Sequence, residues 1–481
     1  MRRTLTAMLV ALALLAAGCG SRVGEEQVRA EAREDALAAG LRAGGGAGTG
    51  AEVAGADFTA EGELLEGGAT AAGVAGGAGG GGGEGSATGG GGRAPGAPAG
   101  GNGGATDVGL TEREMRLGWV GTLTGPVPGL FRGALAGVQA YAQYQNSRGG
   151  LFGRSIKIEA ADDSLDSGKN RAGHLQLKDK VFAFVGSFSV TDDGGVSVLS
   201  ECKCPDIGGS LSQSRFQLPN HYDPQPIPPG WRSGGLEWFK ANFPQDVIQH
   251  VAFYSSAVES ARAIARNQRA VMEQLGYRVV YSREVQPNET NWTGDVVQMR
   301  NEGVKMVTFQ GDVGNQARLA AAMRQQNFSV PLANWGNTIY DENAFRIAGE
   351  EALEGALIDQ VYALFKGEDA GTVPEIALFN QWMKRTNPSV TIDLFAMYGW
   401  VSMKLYIEAA TKAGAQLTRP KLLAELGKMG TWDADGVVAP VNIGQKKPSD
   451  CVMIFKITDG KYVRVHPQRG YDCNLGPFIS R

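Results

Sequence analysis

The residues able to do covalent chemistry are few and scattered. The chain holds four histidines, His174, His221, His250 and His466. None sits beside a nucleophile and an acid in the arrangement that activates a serine or cysteine. No Gly-x-Ser-x-Gly turn and no His-Glu-x-x-His helix motif occurs, so hydrolysis is not expected. The five cysteines are Cys19, Cys202, Cys204, Cys451 and Cys473. Setting Cys19 aside leaves an even number, the usual sign of disulfides outside the cytoplasm. Three pairings are open. Cys451 with Cys473 closes a sensible loop, which would leave Cys202 and Cys204 in a tight ring of an uncommon kind. Cys202-x-Cys204 lacks the neighbouring ligands a metal site needs, so neither metal nor cofactor is expected. Binding therefore comes before catalysis as the class of function to test.

The amino terminus sets the compartment. Arg2 and Arg3 precede an apolar run from Leu5 to Ala17. The run is shorter than the ~20 residues a spanning helix requires. Ala16-Ala17-Gly18 then leads into Cys19, which resembles a bacterial lipoprotein signal, with Ala16 where leucine is usual. On that reading Cys19 becomes the lipid-bearing first residue and holds the chain on the outer face of a cell membrane.

Composition divides the rest of the chain. Glycine numbers 70 of 481 residues, about twice the ordinary share, and the excess lies between Gly20 and Gly109. Runs such as Gly76 to Gly83 cannot build a core. The segment reads as a flexible tether with a typical reach of ~50 Å. The remainder, from about Arg113, is long enough for two lobes. Net charge is −4 with acids and bases interspersed, and no basic stripe points to nucleic acid. Asn291-Trp292-Thr293 matches a glycosylation acceptor, which the bacterial signal makes a coincidence.

Hydrophobic periodicity in this remainder alternates strand with helix, the pattern of an α/β fold with parallel sheets. Met115 to Gly121 reads as a strand, Gly129 to Asn146 as a helix, Ile156 to Ala160 as a strand, Lys169 to Lys178 as a helix and Val181 to Val185 as a buried strand. After the Pro-rich stretch Pro219 to Pro229 the pattern resumes. Strands are expected at Val247–Tyr254, Val279–Arg283 and Lys305–Phe309. Helices are expected at Gly234–Asn242, Ala257–Leu275, Trp292–Asn301, Ala317–Gln326, Pro374–Arg385, Asp393–Ala413 and Lys421–Leu426. Near the end, Asp459-Gly460 between two alternating runs predicts a hairpin. Chain crossings between lobes are expected near 216–222, 355–361 and 431–441. Ligands of such sheets sit beyond the carboxyl ends of the strands.

Gly118-Trp119-Val120-Gly121-Thr122-Leu123-Thr124-Gly125-Pro126, Gly149-Gly150-Leu151-Phe152-Gly153-Arg154, Phe184 to Ser189 and Pro205 to Ser212 occur in order. Together they resemble the type I periplasmic binding proteins of branched-chain amino-acid importers, over nearly all of residues 115–466. The resemblance implies two parallel-sheet lobes joined by three crossovers. It assigns 111–218 with 361–430 to the first lobe and 219–360 with 431–481 to the second, after a signal at 1–19 and a tether at 20–110. It implies an amino-acid-like solute, ABC permease partners and no enzyme activity. In the family, main-chain N–H groups and hydroxyls of the first lobe take the ligand carboxylate. By position these fall at Ser189 and at Ser210, Leu211 and Ser212, where Ser212 also reads as a turn cap, with Trp119 as a cleft wall or packed beneath the first turn. The second lobe departs from the pattern: Ser260 and Asp312 stand where tyrosines are usual, and Trp335 where an acid is usual. Asp312 would then supply the negative charge and Trp335 a stacking or cation-binding face. Trp231 and Asn337 complete the candidate set. Asp192-Asp193 reads as a helix cap or, if facing the cleft, as a sign of a cationic or polyhydroxyl ligand. Two other functions fit the same architecture: a tethered ligand sensor, and a wall-associated scaffold that does not transport.

Overall fold

A computed structural model describes residues 101–125, 129–287 and 289–481. Cys19 and most of the glycine-rich segment lie outside these residues. Five parallel strands form the first sheet: β1 (Glu114–Gly121), β2 (Ser155–Asp162), β3 (Ala183–Val185), β4 (Asp206–Ile207) and β5 (His221–Tyr222), in the order β2-β1-β3-β4-β5. β1 and β3 to β5 are largely buried, as a parallel sheet covered by helices requires, whereas the edge strand β2 buries little of its length. The helices Arg132–Ser147 and Leu394–Ala413 pack against each other on this sheet. A Cβ on Gly137 would lie 2.0 Å from the carbonyl of Ala396, and one on Gly399 2.0 Å from that of Ala134. A glycine on each helix thus allows the two backbones to touch.

After β6 (Gly230–Arg232) the chain builds the second sheet from β7 (Val251–Ser256), β8 (Val279–Val285), β9 (Met306–Gln310), β10 (Leu332–Trp335) and β11 (Leu357–Gln360). The short pair β12 (Thr431–Trp432) and β13 (Val441–Asn442) then precedes β14 (Met453–Thr458) and β15 (Lys461–His466), which complete that sheet. Its order is β15-β14-β11-β10-β9-β7-β8, parallel except for the hairpin edge. β16 (Phe478–Ser480) pairs with β6. Asp459 and Gly460 both have positive φ, 50° and 66°, the turn that Asp-Gly predicts in a two-residue hairpin. The expected strand from Val247 begins only at Val251, because Pro244 opens a helical turn over Gln245–Ile248. The helix expected from Ala317 starts earlier, at Val313.

The three connections between the sheets are tied to one another. Ala363 N–H bonds the carbonyl of Val437 and Ala439 N–H that of Val361. The amide of Gln225 donates to the carbonyl of Ala439 at 3.1 Å. The first connection leaves β5 after Tyr222, slightly beyond the expected boundary at 218, because β5 itself still pairs with β4.

Composition places the end of the tether at 110, yet residues 101–110 belong to the folded body. Asn102 is buried and donates to the carbonyls of Glu112 and Phe152. Arg154, fully buried, donates to the carbonyls of Asn102, Gly104, Thr111 and Ala415 at 2.7–3.1 Å. Asp107 accepts from Arg419 N–H. Composition hides this docking, because polar side chains and a distant arginine supply it rather than an apolar run. Both Cys451–Cys473 and Cys202–Cys204 are bonded, so the uncommon i,i+2 ring is present. Among the described residues no group of three or more His, Cys, Asp or Glu is placed to hold a metal ion, and no helix is long and apolar enough to cross a membrane.

Candidate ligand-binding site between the lobes

The carboxyl ends of β3 and β11 meet through aromatic side chains. Phe188, just beyond β3, packs on Tyr398 with ring centroids 5.1 Å apart, and Tyr398 packs on Tyr362, just beyond β11, at 5.0 Å. Phe131 lies 4.9 Å from Phe188 on the first-lobe side. This row joins the two lobes where open sheets bind ligands.

Beneath it lies a buried ionic cluster. Arg215 donates from Nε and Nη2 to the two carboxylate oxygens of Asp206 at 2.9 and 2.8 Å, the paired geometry a guanidinium favours. His221 Nδ1 lies 2.7 Å from the same carboxylate. Burial opposes ionisation of Asp206, but Arg215 and His221 overcome it and hold Asp206 well below the usual carboxylate range. Burial pushes His221 the other way, below its ordinary value, despite Asp206. Arg215 Nη1 also reaches the carbonyl of Gly209 at 3.1 Å and the carboxylate of Asp192 at 3.5 Å.

The first-lobe groups singled out from the sequence come together here, but each has a partner within the chain. Leu211 N–H donates to Asp192 Oδ2 at 2.8 Å and Ser212 N–H to Asp192 Oδ1 at 3.0 Å. Ser210 N–H donates to Asp223 Oδ2 at 3.1 Å. Ser212 Oγ caps the turn Gln213–Phe216 by accepting from Arg215 N–H. Ser189 Oγ lies 3.1 Å from Thr191 Oγ1 and accepts from Thr191 N–H. The expected receivers of a ligand carboxylate are thus occupied by Asp192, Asp223 and Thr191. Asp223 is itself fully buried, and burial raises its pKa to about 7 against the amides of Gln225 and Ser210 that favour its charge.

Of the two readings of Trp119, the structure selects the packed one over the cleft wall. Trp119 has no exposed surface and donates its indole N–H to the carbonyl of Gly186 at 2.7 Å. A side chain on the interior strand β1, flanked by β2 and β3, points into a helix-covered face rather than beyond the strand end. Trp231 pairs in register with Ile479 and packs against the second lobe's smaller apolar cluster, with its indole N–H buried and unpartnered among the described residues. Asp312 accepts from Asn315 N–H at 2.8 Å and caps the helix Val313–Gln325. Ser260 lies in the first turn of the helix Glu259–Gln274, and Asn337 opens a short 3-10 turn after β10; both are partly exposed. Trp335 ends β10 opposite Phe309 and is enclosed, with its indole N–H buried and unpartnered among the described residues.

Sequence reasoning missed Arg232, Tyr362 and Tyr398. Arg232 ends β6, is partly exposed, and has no hydrogen-bond or ion-pair partner among the described residues. Burial lowers its pKa, and Tyr398, Asp359 and Tyr362 oppose that shift. No spacing marks these residues, because they come from segments far apart in the chain.

The two sheets and their three bonded connections define a two-lobed α/β fold. A family model described as periplasmic binding protein matches residues 114–461, and the chain belongs to that family. An amino acid binding protein of Pseudomonas aeruginosa is 22% identical over 236 residues, covering 46% of this chain and 60% of the relative. The chain therefore matches less than two thirds of that relative's length. Among solved structures, a branched-chain amino acid ABC transporter from Thermus thermophilus with bound valine gives a TM-score of 0.65 at 16% identity, covering 76% of this chain and 97% of that one. A fatty acid ABC transporter substrate-binding protein from Thermomonospora curvata gives 0.63 at 20% identity, covering 77% and 95%. A leucine binding protein from Thermotoga maritima gives 0.60 at 14% identity, covering 73% and 97%. At these identities the likeness is one of fold.

Proposed function

We propose that the chain is the extracytoplasmic solute-binding component of an ABC importer. It holds an amino acid or related small polar solute between its lobes and is anchored through a lipid on Cys19. The observation that carries this reading is the interlobe row Phe188–Tyr398–Tyr362 beside three mutually bonded connections. Short, tied connections between two rigid sheets suit hinge closure. Binding free energy would then favour a closed shape that a permease reads. The relative named as an amino acid binding protein supports the solute class.

A melting-temperature screen of the full chain against amino acids, small amides, polyamines, sugars and aromatic acids tests it, since a ligand of the folded form raises its stability by mass action. A shift with one chemical class is expected. Silence across all classes would overturn solute capture. A second reading, a wall-associated scaffold without transport, is favoured by one observation: the strand-end amides of Leu211 and Ser212 already carry a carboxylate from the chain.

A further inference from the structure

A pair of main-chain N–H groups at a strand end, followed by a helical turn, suits one carboxylate. Here the amides of Leu211 and Ser212 are that pair, and Asp192 takes one amide on each of its two oxygens, at 2.8 and 3.0 Å. The arrangement is fixed rather than casual. Asp192 is 1% exposed and begins the 3-10 turn Asp192–Gly195, directly after the strand-end segment that ends at Thr191. Arg215 lies 3.5 Å from its Oδ2 and is itself locked on Asp206. A solute's acid group arriving at these amides would have to expel a buried, charge-paired carboxylate and leave Arg215 with one counter-ion fewer. Breaking such a buried pair is strongly unfavourable.

We infer that Asp192 is a specificity-determining residue, a resident carboxylate that fills the amide cradle and confines the cleft to solutes that bring no free carboxylate to the first lobe. The inference rests on the reading of the cleft as a solute site and narrows it. Serine-flanked amides at a strand end do not by themselves mark an acid receptor; the partner those amides already have decides it.

The test uses the full chain with Asp192→Ala, and sodium acetate, L-leucine and L-leucinamide as probes against chloride at matched ionic strength. Removing the side chain leaves two partly buried amides and Arg215 facing an opening of carboxylate size. Acetate and L-leucine should then raise the variant's melting temperature saturably, binding at least roughly tenfold more tightly than to wild type, while L-leucinamide should not. Equal acetate effects on wild type and variant, or no effect on a folded variant, would overturn the inference.

Should Asp192→Ala fail to fold, Asp192→Asn keeps one acceptor and orphans one amide. Hydrogen exchange at Leu211 and Ser212 should then quicken in the variant and slow again with acetate; unchanged exchange at both would equally overturn it. A wild type that binds L-leucine through its carboxylate as well as the variant does would refute the role of Asp192 and leave solute capture standing. A wild type that binds no solute at all would refute capture, while acetate rescue of the variant would still decide the role of Asp192.

Discussion

Asp223 carries a pH signature that can be read from one substitution. Burial raises its pKa to about 7, from an unfolded value of about 3.9. Below pH ~4 it is protonated in both states and adds no penalty. As the pH rises from about 4 to about 7 the unfolded carboxyl ionises while the buried one stays protonated, so folding loses up to about 4 kcal/mol relative to a neutral residue, and above about 7 both are ionised and the loss levels off. Asp223→Asn should therefore gain stability relative to wild type progressively from about pH 4 to about pH 7 and hold a constant advantage above that, as measured by urea unfolding. Parallel pH profiles for the two proteins would show that the amides of Ser210 and Gln225 stabilise the charge fully. Asp312 offers a second test at this scale. As a helix cap, Asp312→Ala should cost about 1 kcal/mol and leave solute affinity unchanged. A larger loss of affinity than of stability would return it to the ligand. Both residues show why the site was only partly legible. Motif order leads to the strand-end serines, but their partners Asp192 and Asp223 come from other segments, and no spacing announces a contact of that kind.

At the scale of elements, most of the fold could be read. Alternating apolar strands and amphipathic helices gave β1 to β3, the long helices and the terminal hairpin, because each carries its own period. Very short strands such as β4 and β5 did not declare themselves, since two or three residues hold too little pattern and are fixed by neighbours in the sheet. The docked segment 101–110 escaped for the opposite reason: it is held by the carbonyls it offers to Arg154. The C-terminal disulfide makes a separate prediction. Cys451 and Cys473 close a 22-residue separation, and a loop of that length corresponds to about 3 kcal/mol of stabilisation. Replacing both with serine should lower the unfolding free energy by about that amount, measured in urea without reductant. A loss well under 1 kcal/mol would mean that the Val452–Asp472 backbone pairing alone holds the segment.

At the scale of the whole molecule, solute capture predicts a change in shape. Any solute that raises the melting temperature should also lower the radius of gyration in X-ray scattering, because two lobes hinged at tied connections become more compact when they close. Stabilisation with unchanged scattering would indicate a rigid receptor. The docking of residues 101–110 bears on how such motion could proceed on a held protein. The side-chain hydrogen bonds of that segment end on first-lobe residues, among them Phe152, Arg154, Leu417 and Arg419. A pull transmitted along the chain from upstream of residue 101 is therefore delivered to one lobe as a shear load on Arg154 and its carbonyls. Under the proposed capture mechanism the second lobe would be free of that load, swinging on its hinge while the first acts as the mount.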